Sequence, residues 1–203
     1  MNNPEASGAG LRERKKLATR DALAQTALQL AMERGLEHVR VEDITTAVNV
    51  SRRTFTNYFS SKEEAIASVN TERSTRIIDA LRERPAGEPL AHSLAEVFAE
   101  QYAEAAALDR RHIARIEEVT SSPAVRGEFL NTLVEAELPL AEVIAERTGT
   151  DVRRDLFPRV LAAAVFSAAR AAVGHWRATQ GNESLPSLVR QAVNQVTCGV
   201  PDR

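Results

Sequence analysis

The 203-residue chain has a single cysteine, Cys198, and aromatic residues make up only 4% of it. One cysteine excludes an intrachain disulfide and a cysteine-based zinc site, and this scarcity is typical of a reducing compartment. The first ten residues are polar and lack the apolar run of a secretory signal. The longest apolar stretch, residues 160–169, is too short to span a bilayer. We therefore expect a cytoplasmic protein of bacterial type that makes no membrane contact.

Proline is absent from the N-terminal part of the chain: none of the eight prolines lies within residues 5–84. Alternating β-branched residues are almost absent too, whereas Leu, Glu, Arg and Ala dominate, and these residues favour helices. Proline breaks helix interiors, so the two prolines within residues 85–89 predict a loop between an N-terminal helical unit and a longer C-terminal one. The sequence thus predicts an all-α protein of about nine helices.

The net charge of −2 suggests no nucleic-acid partner until the charges are divided along the chain. Residues 1–62 carry 10 basic and 7 acidic side chains, a net charge of +3. Residues 63–203 carry 16 basic and 21 acidic ones, a net charge of −5, and contain no lysine. This asymmetry indicates a basic N-terminal surface that could meet phosphates and an acidic remainder that would not.

Two short helices joined by a tight turn are predicted within the basic part. A first helix with an apolar stripe ends at Gly35, a residue suited to the position after a helix. A second, short helix covers residues 42–48, and Asn49 tolerates the left-handed conformation of a turn. A third covers residues 52–59, and a capping box after it begins a fourth helix that runs to about residue 82. The pattern is that of a helix-turn-helix.

The third helix has the composition of a DNA-recognition helix. Ser51 is a favourable N-cap, and Phe55 and Phe59 at i, i+4 turn inward. The helix fits the major groove, where arginine can pair with guanine, asparagine with adenine and the threonine methyl with thymine. The exposed N–H groups beside Ser51 suit a phosphate, as do Tyr58, Lys62 and, on the second helix, Thr45. The base-reading or outward-facing candidates are Arg52, Arg53, Thr54, Thr56, Asn57 and Tyr58.

Residues 19–66 resemble the DNA-binding domain of the TetR (tetracycline-repressor-like) family. The matching positions are Thr19, Arg20, Ala27, Gly35, Val41, Asp43, Ile44, Ala47, Val50, Ser51, Thr54, Tyr58, Phe59, Lys62 and Glu63. The resemblance places Lys15, Lys16 and Arg20, at the start of the first helix, beside the phosphate backbone. It also divides the chain into a disordered tail over 1–10, a DNA-binding domain over 11–62 and a ligand-binding and dimerisation domain over 63–203. Three positions depart from the family pattern: Arg40, Asn49 and Thr56.

Five helices are predicted in the second unit, over residues 90–108, 109–120, 123–147, 151–179 and 184–196. Pro139 is expected to kink or split the third. The last two carry small and apolar residues on one face, which is either ordinary core or, as the resemblance implies, a four-helix interface between two copies. The interface candidates are Ala164, Ala168, Ala171, Ala172, Leu188, Val189, Ala192 and Val196.

The resemblance further implies a small-molecule pocket in the second unit. Its candidate lining residues are Phe98, Tyr102, Phe129, Leu133 and Phe166, with Arg115 and Arg170 available to an anionic ligand. Core aromatics and solvated arginines are the alternative interpretation of all seven. Residues 53–59 resemble an actinobacterial branch of the family that is linked to acyl-CoA-like ligands. No metal-binding His pair and no nucleophile or phosphate-loop motif is found, so we expect no metal, no cofactor and no enzymatic activity.

The sequence therefore predicts a ligand-responsive regulator that binds a pseudo-palindromic operator in double-stranded DNA as a homodimer and is released by a small molecule. The main alternative is a helical DNA-binding protein without such an effector, controlled by a protein partner. A binding or carrier module with a vestigial helix-turn-helix is a third class.

Overall fold

A computed structural model describes residues 4–103, 110–179 and 183–197. Within these ranges the chain forms nine α-helices, one short 3-10 helix at Leu36–His38 and no strand. The helices are α1 (Pro4–Arg34), α2 (Val41–Val48), α3 (Arg52–Thr56), α4 (Lys62–Glu83), α5 (Leu90–Glu100), α6 (Arg110–Thr120), α7 (Pro123–Thr148), α8 (Leu156–Ala178) and α9 (Leu185–Thr197). The predicted all-α class is confirmed.

Helix boundaries differ from the prediction in four places. Helix α1 begins at Pro4, so residues 4–10 are helical and not a disordered tail. Proline is tolerated at the first position of a helix, and no other proline follows before residue 85. Helix α3 ends at Thr56 and α8 begins only at Leu156. Helix α5 ends at Glu100, and most of its predicted continuation to residue 108 lies outside the described residues.

Helix α7 passes through Pro139 without being split. Proline lacks an amide hydrogen, so one intrahelical hydrogen bond, to the carbonyl of Glu135, is missing. The rest of the helix is held by burial of Leu140, Ala141 and Ile144, which lie in the core directly after the proline. Tertiary packing therefore outweighs the local cost of the proline.

The described chain forms two compact units, and the first is larger than the predicted domain over 11–62. It combines the residues up to Val69 with Arg115–Phe129. Ala65, Ile66 and Ala67 of α4 are buried in its core. So are Val119 and Val125, which come from the end of α6 and the start of α7. The compact unit therefore extends beyond the predicted boundary at residue 62, because burial of side chains and not the end of the motif delimits it.

The second unit contains Asn70–Ala114 and the chain from Leu130 onward. Its core joins α4, α5, α7, α8 and α9, with Phe98 packed edge-on against Phe166 at a ring separation of 5.3 Å. Helix α9 packs against α8 and α5. Arg190 of α9 joins α9 to α5 by donating two hydrogen bonds, 2.7 and 2.9 Å long, to the Glu96 carboxylate.

The loop between α4 and α5 is held by a second arginine from a distant helix. Arg147 of α7 donates to the carbonyls of Arg84, Pro85 and Glu88 at 3.0, 3.0 and 3.2 Å, and to the Ser93 hydroxyl at 3.1 Å. Arg84 forms two 2.6 Å hydrogen bonds to the Glu88 carboxylate, which lowers the pKa of Glu88 to about 2. The predicted loop at residues 85–89 is therefore an ordered, charge-stabilised corner.

Helix α8 is long and apolar enough to cross a membrane by length and composition alone. Leu161, Val165 and Phe166 nevertheless lie in the core of the second unit, together with Trp176 near the end of the helix. Its apolar character is thus that of a core helix, which passes the same test of hydropathy.

Candidate DNA-binding site

The turn between α2 and α3 has the geometry that its residues predict. Asn49 adopts a left-handed conformation, with φ 57° and ψ 49°, and its amide donates to the carbonyls at the end of α2. At the other end of α2 the departure at Arg40 is compensated locally. The Asp43 carboxylate accepts a 2.8 Å hydrogen bond from the Arg40 amide and so caps the helix. Both ends of α2 are therefore capped.

Helix α3 is fixed at its start by a cap and on its inner side by two phenylalanines. The Ser51 hydroxyl accepts a 3.0 Å hydrogen bond from the Thr54 amide. Phe55 and Phe59 are 1% exposed, and their ring centroids lie 5.7 Å apart. The predicted inward orientation of both rings is confirmed. Because α3 is anchored through this face, its opposite face is presented to solvent in a fixed orientation.

The outer face of α3 carries most of the predicted reading residues. Arg52, Arg53, Thr56 and Asn57 are exposed, whereas Thr54 and Tyr58 are half-buried. Arg53 has no ion-pair or side-chain hydrogen-bond partner within the described residues, but Arg52 donates to Glu42 of α2 over 2.7 Å. The hydroxyls of Ser51 and Thr54 lie 2.9 Å apart, and that of Thr56 donates to the Arg53 carbonyl at 3.0 Å. The arrangement offers two guanidinium groups and an amide to base edges.

The N-terminal helix contributes three further cations to this unit. Lys15 and Lys16 are exposed on α1. Arg20 is half-buried, and its guanidinium lies 5.1 Å from the centroid of the Phe59 ring. Such a cation–π contact orients the guanidinium while leaving its edge available to an anion. The assignment of these three residues to phosphates stays a prediction.

Thr45 is not available to DNA, contrary to the prediction. It is 5% exposed, and its hydroxyl donates to the carbonyl of Glu42 at 3.1 Å. Ile44, beside it, is completely buried, so this side of α2 faces the core. Thr46 is the exposed threonine of α2. A one-residue error on a short helix turns a side chain by about 100°, which is enough to exchange surface for core.

Lys62 also has a different role from the predicted phosphate contact. Its ammonium group donates to the carbonyls of Leu36 and Val39, at 2.7 and 2.8 Å. Only 20% of the side chain is exposed. Lys62 therefore satisfies two backbone acceptors in the segment between α1 and α2, a role that local sequence could not reveal.

Replacement of Lys62 with alanine is expected to destabilise the protein and not to change the salt dependence of DNA binding. The loss of two charge-assisted hydrogen bonds should lower the free energy of unfolding by about 2 kcal/mol. Chemical denaturation measures this change, and titrations of DNA binding at several salt concentrations measure the slope. Lys15→Ala is the comparison variant: Lys15 is an exposed lysine of the same unit and a predicted phosphate contact, so its removal should leave the stability unchanged and reduce the salt slope. A salt slope reduced by about one in Lys62→Ala would return the residue to the phosphate contacts.

The structure places the predicted pocket residues in several different surroundings. Phe98 and Phe166 are buried and fill the core of the second unit, Leu133 packs against that core, and Tyr102 lies beneath Arg73 with 4.8 Å between the guanidinium carbon and the ring centroid. Arg170 is exposed on α8. Arg115 and Phe129 belong to the first unit. The assignment of these residues to a ligand pocket stays a prediction.

A groove of about 330 Å³ runs between α4 and α7 of the second unit. Its lining residues, which sequence reasoning missed, are Thr71, Ser74, Thr75, Ile78, Asp79, Arg82, Thr132, Glu135, Ala136 and Pro139. Ser74 is 3% exposed and has no hydrogen-bond partner among the described residues. Pro139, on the same wall, has no amide hydrogen to donate to the Glu135 carbonyl. The groove thus combines hydroxyl, charged and apolar side chains along its lining.

The predicted dimer residues divide into buried and accessible ones. Ala168, Ala172, Leu188 and Val189 are buried within the second unit and pack against their own chain. Ala171 and Val196 are exposed, and Ala164 and Ala192 are half-buried. Three further apolar side chains are exposed at the start of α8: Leu156, Phe157 and Val160 are 74, 36 and 54% exposed. An interface could therefore use the outer half of the predicted set, extended toward the N-terminus of α8.

Comparison with known proteins identifies the family to which this helix-turn-helix protein belongs. Residues 23–69 match the model of the bacterial regulatory proteins of the tetR family, and residues 84–201 match that of the MftR C-terminal domain. The chain belongs to the TetR family. It is thus a transcriptional regulator, in agreement with the resemblance found in residues 19–66.

Individual TetR-family members resemble this chain over almost its whole length. The HTH-type transcriptional regulator TcmR of Streptomyces glaucescens is 33% identical over 198 residues, covering 94% of this chain and 88% of that protein. FadR of Thermus thermophilus, solved in complex with lauroyl-CoA, is 22% identical with a TM-score of 0.54, covering 91% of this chain and 96% of that one. SmeT, solved in complex with triclosan, is 15% identical with a TM-score of 0.60, covering 90% and 91%. The two structures share the fold.

Proposed function

We propose that the protein is a repressor that binds a pseudo-palindromic operator as a homodimer and leaves it when a small molecule binds the second unit. The observation that carries the DNA-binding part is the outer face of α3, where Arg52, Arg53 and Asn57 are exposed on a helix anchored by Phe55. Such a protein acts in the cytoplasm, on the nucleoid. DNase footprinting on the protein's own promoter region tests the proposal, and a footprint without two related half-sites would contradict the twofold arrangement.

The proposed dimer uses the exposed apolar side chains of α8 and α9. Val160, Ala164, Ser167 and Ala171 follow one another at intervals of three or four residues and therefore share one side of α8. Small residues at this spacing allow a second helix to approach closely, and Val196 adds apolar surface from α9. A twofold interface brings the same face of both copies together, so each side chain is used twice.

Replacement of Ala171 with glutamate is expected to convert the dimer into a monomer at micromolar concentration. The substitution places a carboxylate from each copy in a closely packed interface, where neither charge has a partner. Analytical ultracentrifugation measures the change in mass. Gln25→Glu, which adds the same charge at an exposed site of α1, should remain dimeric. A wild-type monomer at the same concentration would contradict the dimer itself.

For the effector we propose an acyl-CoA-like molecule as the first class to test, bound in the second unit. The large apolar core of that unit supplies the environment that an acyl chain requires. The fold is shared with a FadR protein solved with lauroyl-CoA. Helix α4, which forms one wall of the groove, begins in the first unit and continues into the second, so a ligand held there contacts the helix that reaches the DNA-binding unit.

Lauroyl-CoA is accordingly expected to lower the affinity for operator DNA at least tenfold, whereas coenzyme A alone should have no effect. The acyl chain supplies the apolar burial, and the free cofactor lacks it. Fluorescence anisotropy with labelled operator fragments measures release. Triclosan serves as a ligand of different chemistry. Release by triclosan and not by lauroyl-CoA would replace the acyl-CoA class by a neutral aromatic one, which agrees better with Asp79 and Glu135 in the groove.

A protein partner in place of a small molecule is the second candidate for control. Leu130, Val134 and Leu138 of α7 are 41, 63 and 43% exposed, and their spacing of four residues forms one apolar row on the helix. Phe98 and Phe166 pack edge-on in the core of the second unit, with 5.3 Å between their ring centroids. A complete lack of response to ligands, together with a partner that is lost when Val134 is replaced by lysine, would favour this function.

A further inference from the structure

An ion pair joins the two helices of the helix-turn-helix on their exposed side. Glu42 lies in the first turn of α2, and Arg52 is the first residue of α3. The Glu42 Oε1 atom accepts a 2.7 Å hydrogen bond from Arg52 Nη1. The side chains are 56 and 72% exposed, and exposed ion pairs contribute little to stability. The presence of a carboxylate on a surface that must approach a polyanion therefore needs another explanation.

The contact leaves the reading edge of Arg52 available. A guanidinium has five N–H donors in a rigid planar fork, and Glu42 occupies a donor of Nη1. Arg52 makes no other side-chain hydrogen bond in the part of the chain that the structure describes, so the edge formed by Nε and Nη2 remains free. Two donors on one edge can pair with O6 and N7 of guanine. Glu42 thus restricts where the guanidinium lies without consuming the donors that read a base.

We propose that Glu42 is a specificity-determining residue, which holds Arg52 for a guanine edge and keeps it from contacting phosphates at unrelated sequences. The proposal rests on base reading by α3, as described under the proposed function. A carboxylate beside the duplex raises the cost of docking at every sequence, because it repels the phosphate backbone. At the operator this cost is recovered, since the oriented Arg52 forms two hydrogen bonds to the base.

Arg53 provides an internal comparison within the same helix. It is exposed like Arg52, yet no acidic side chain pairs with it in the described part of the chain. The two neighbouring arginines therefore differ in how they are held and not in their exposure. If pairing with Glu42 has the proposed role, the removal of the carboxylate must alter discrimination through Arg52 and leave the contribution of Arg53 unchanged.

The test compares two DNA probes, three single variants and a double-variant control in a background of Arg52→Ala. One probe is a duplex that wild-type full-length protein selects from a random library, and the other is a random duplex of equal length. Glu42→Gln removes the charge but keeps the shape of the side chain. Glu37→Gln is the matched control, since Glu37 is an exposed acidic residue of the same unit whose one ion-pair partner among the described residues is His38. Arg52→Lys retains the positive charge but cannot form the planar two-donor contact.

We expect Glu42→Gln to bind the random duplex about tenfold more tightly and the selected duplex with unchanged or lower affinity. The salt dependence on random DNA should steepen by about one per recognition helix, because Arg52 becomes free to contact phosphates. Arg52→Lys should lose affinity for the selected duplex only. In a background of Arg52→Ala, Glu42→Gln should no longer alter the ratio between the two affinities.

Equal tightening on both probes, to the extent seen in Glu37→Gln, would overturn the proposal, because it would reduce Glu42 to a general repulsive charge. No change on either probe would overturn it too. A wild-type protein that selects no sequence at all would instead refute base reading by α3, and with it the proposed function. Thermal unfolding of each variant checks that the loss of a surface charge has not altered the fold.

Discussion

Replacement of Arg53 with alanine is expected to weaken operator binding by about 30-fold to 25,000-fold, the largest effect on function that we anticipate for a single substitution. A two-donor contact to a base contributes about 1–3 kcal/mol, and a homodimer loses two such contacts, one in each half-site. Because Arg53 has no partner among the described residues of its own chain, its removal should leave the stability of the protein unchanged.

The measurement is fluorescence anisotropy on a selected duplex and on a random duplex of the same length. Arg34→Ala, which removes an exposed arginine at the end of α1, controls for the lost charge. Arg53→Ala should reduce affinity mainly for the selected duplex, so the ratio between the two affinities should fall. Loss by the same factor on both duplexes would show that Arg53 contacts phosphates and reads no base.

Replacement of Arg147 with alanine is expected to reduce the free energy of unfolding by about 3–5 kcal/mol. Its guanidinium donates to three carbonyls of the corner between α4 and α5 and to Ser93, and a charged donor contributes about 1.5–3 kcal/mol per hydrogen bond when these are counted singly. The contributions are not additive, because the bonds share one guanidinium. The corner would be left with unsatisfied carbonyls at the end of α4.

Urea denaturation measures this loss, and Arg147→Lys should recover only a small part of it, since an ammonium cannot span the same acceptors. Arg153→Ala, at an exposed arginine of the loop after α7, should have almost no effect. An unchanged midpoint for Arg147→Ala would mean that water replaces the guanidinium at no cost. The operator affinity of the folded fraction should stay close to that of the wild type, because Arg147 lies in the second unit.

Local sequence was sufficient for the elements whose structure depends on neighbouring residues. Gly35, with φ 84°, ends α1 as predicted, and an added Cβ there would lie only 2.8 Å from the Glu37 carboxylate. Asn49 and Ser51 form the predicted turn and cap. Phe55 and Phe59 face the core because of their spacing alone. In each of these cases the cause lies within four residues of the effect.

The surroundings of Lys62, Arg115 and Phe129 differ from those predicted because they depend on residues far apart in the chain. Lys62 binds carbonyls 26 and 23 residues earlier, so its charge gave no indication of its partner. Arg115 and Phe129 are predicted to line a pocket of the second unit. Both belong to the first unit, whose core includes Val119 and Val125 of the same segment. Thr45 was misplaced for another reason, since one apolar neighbour on a short helix is too little to define its buried side.

The sequence alone determined an all-helical chain and a helix-turn-helix with basic charge around it, because helical periodicity, capping and charge are local properties. The resemblance of residues 19–66 added the TetR family. Only the tertiary structure decided which cations remain available to DNA. Lys62 is used by the backbone, Arg52 is held by Glu42 and Arg53 is free of both constraints. The physical reason is that a charged side chain acts through the nearest partner in space, and folding brings that partner from elsewhere in the chain.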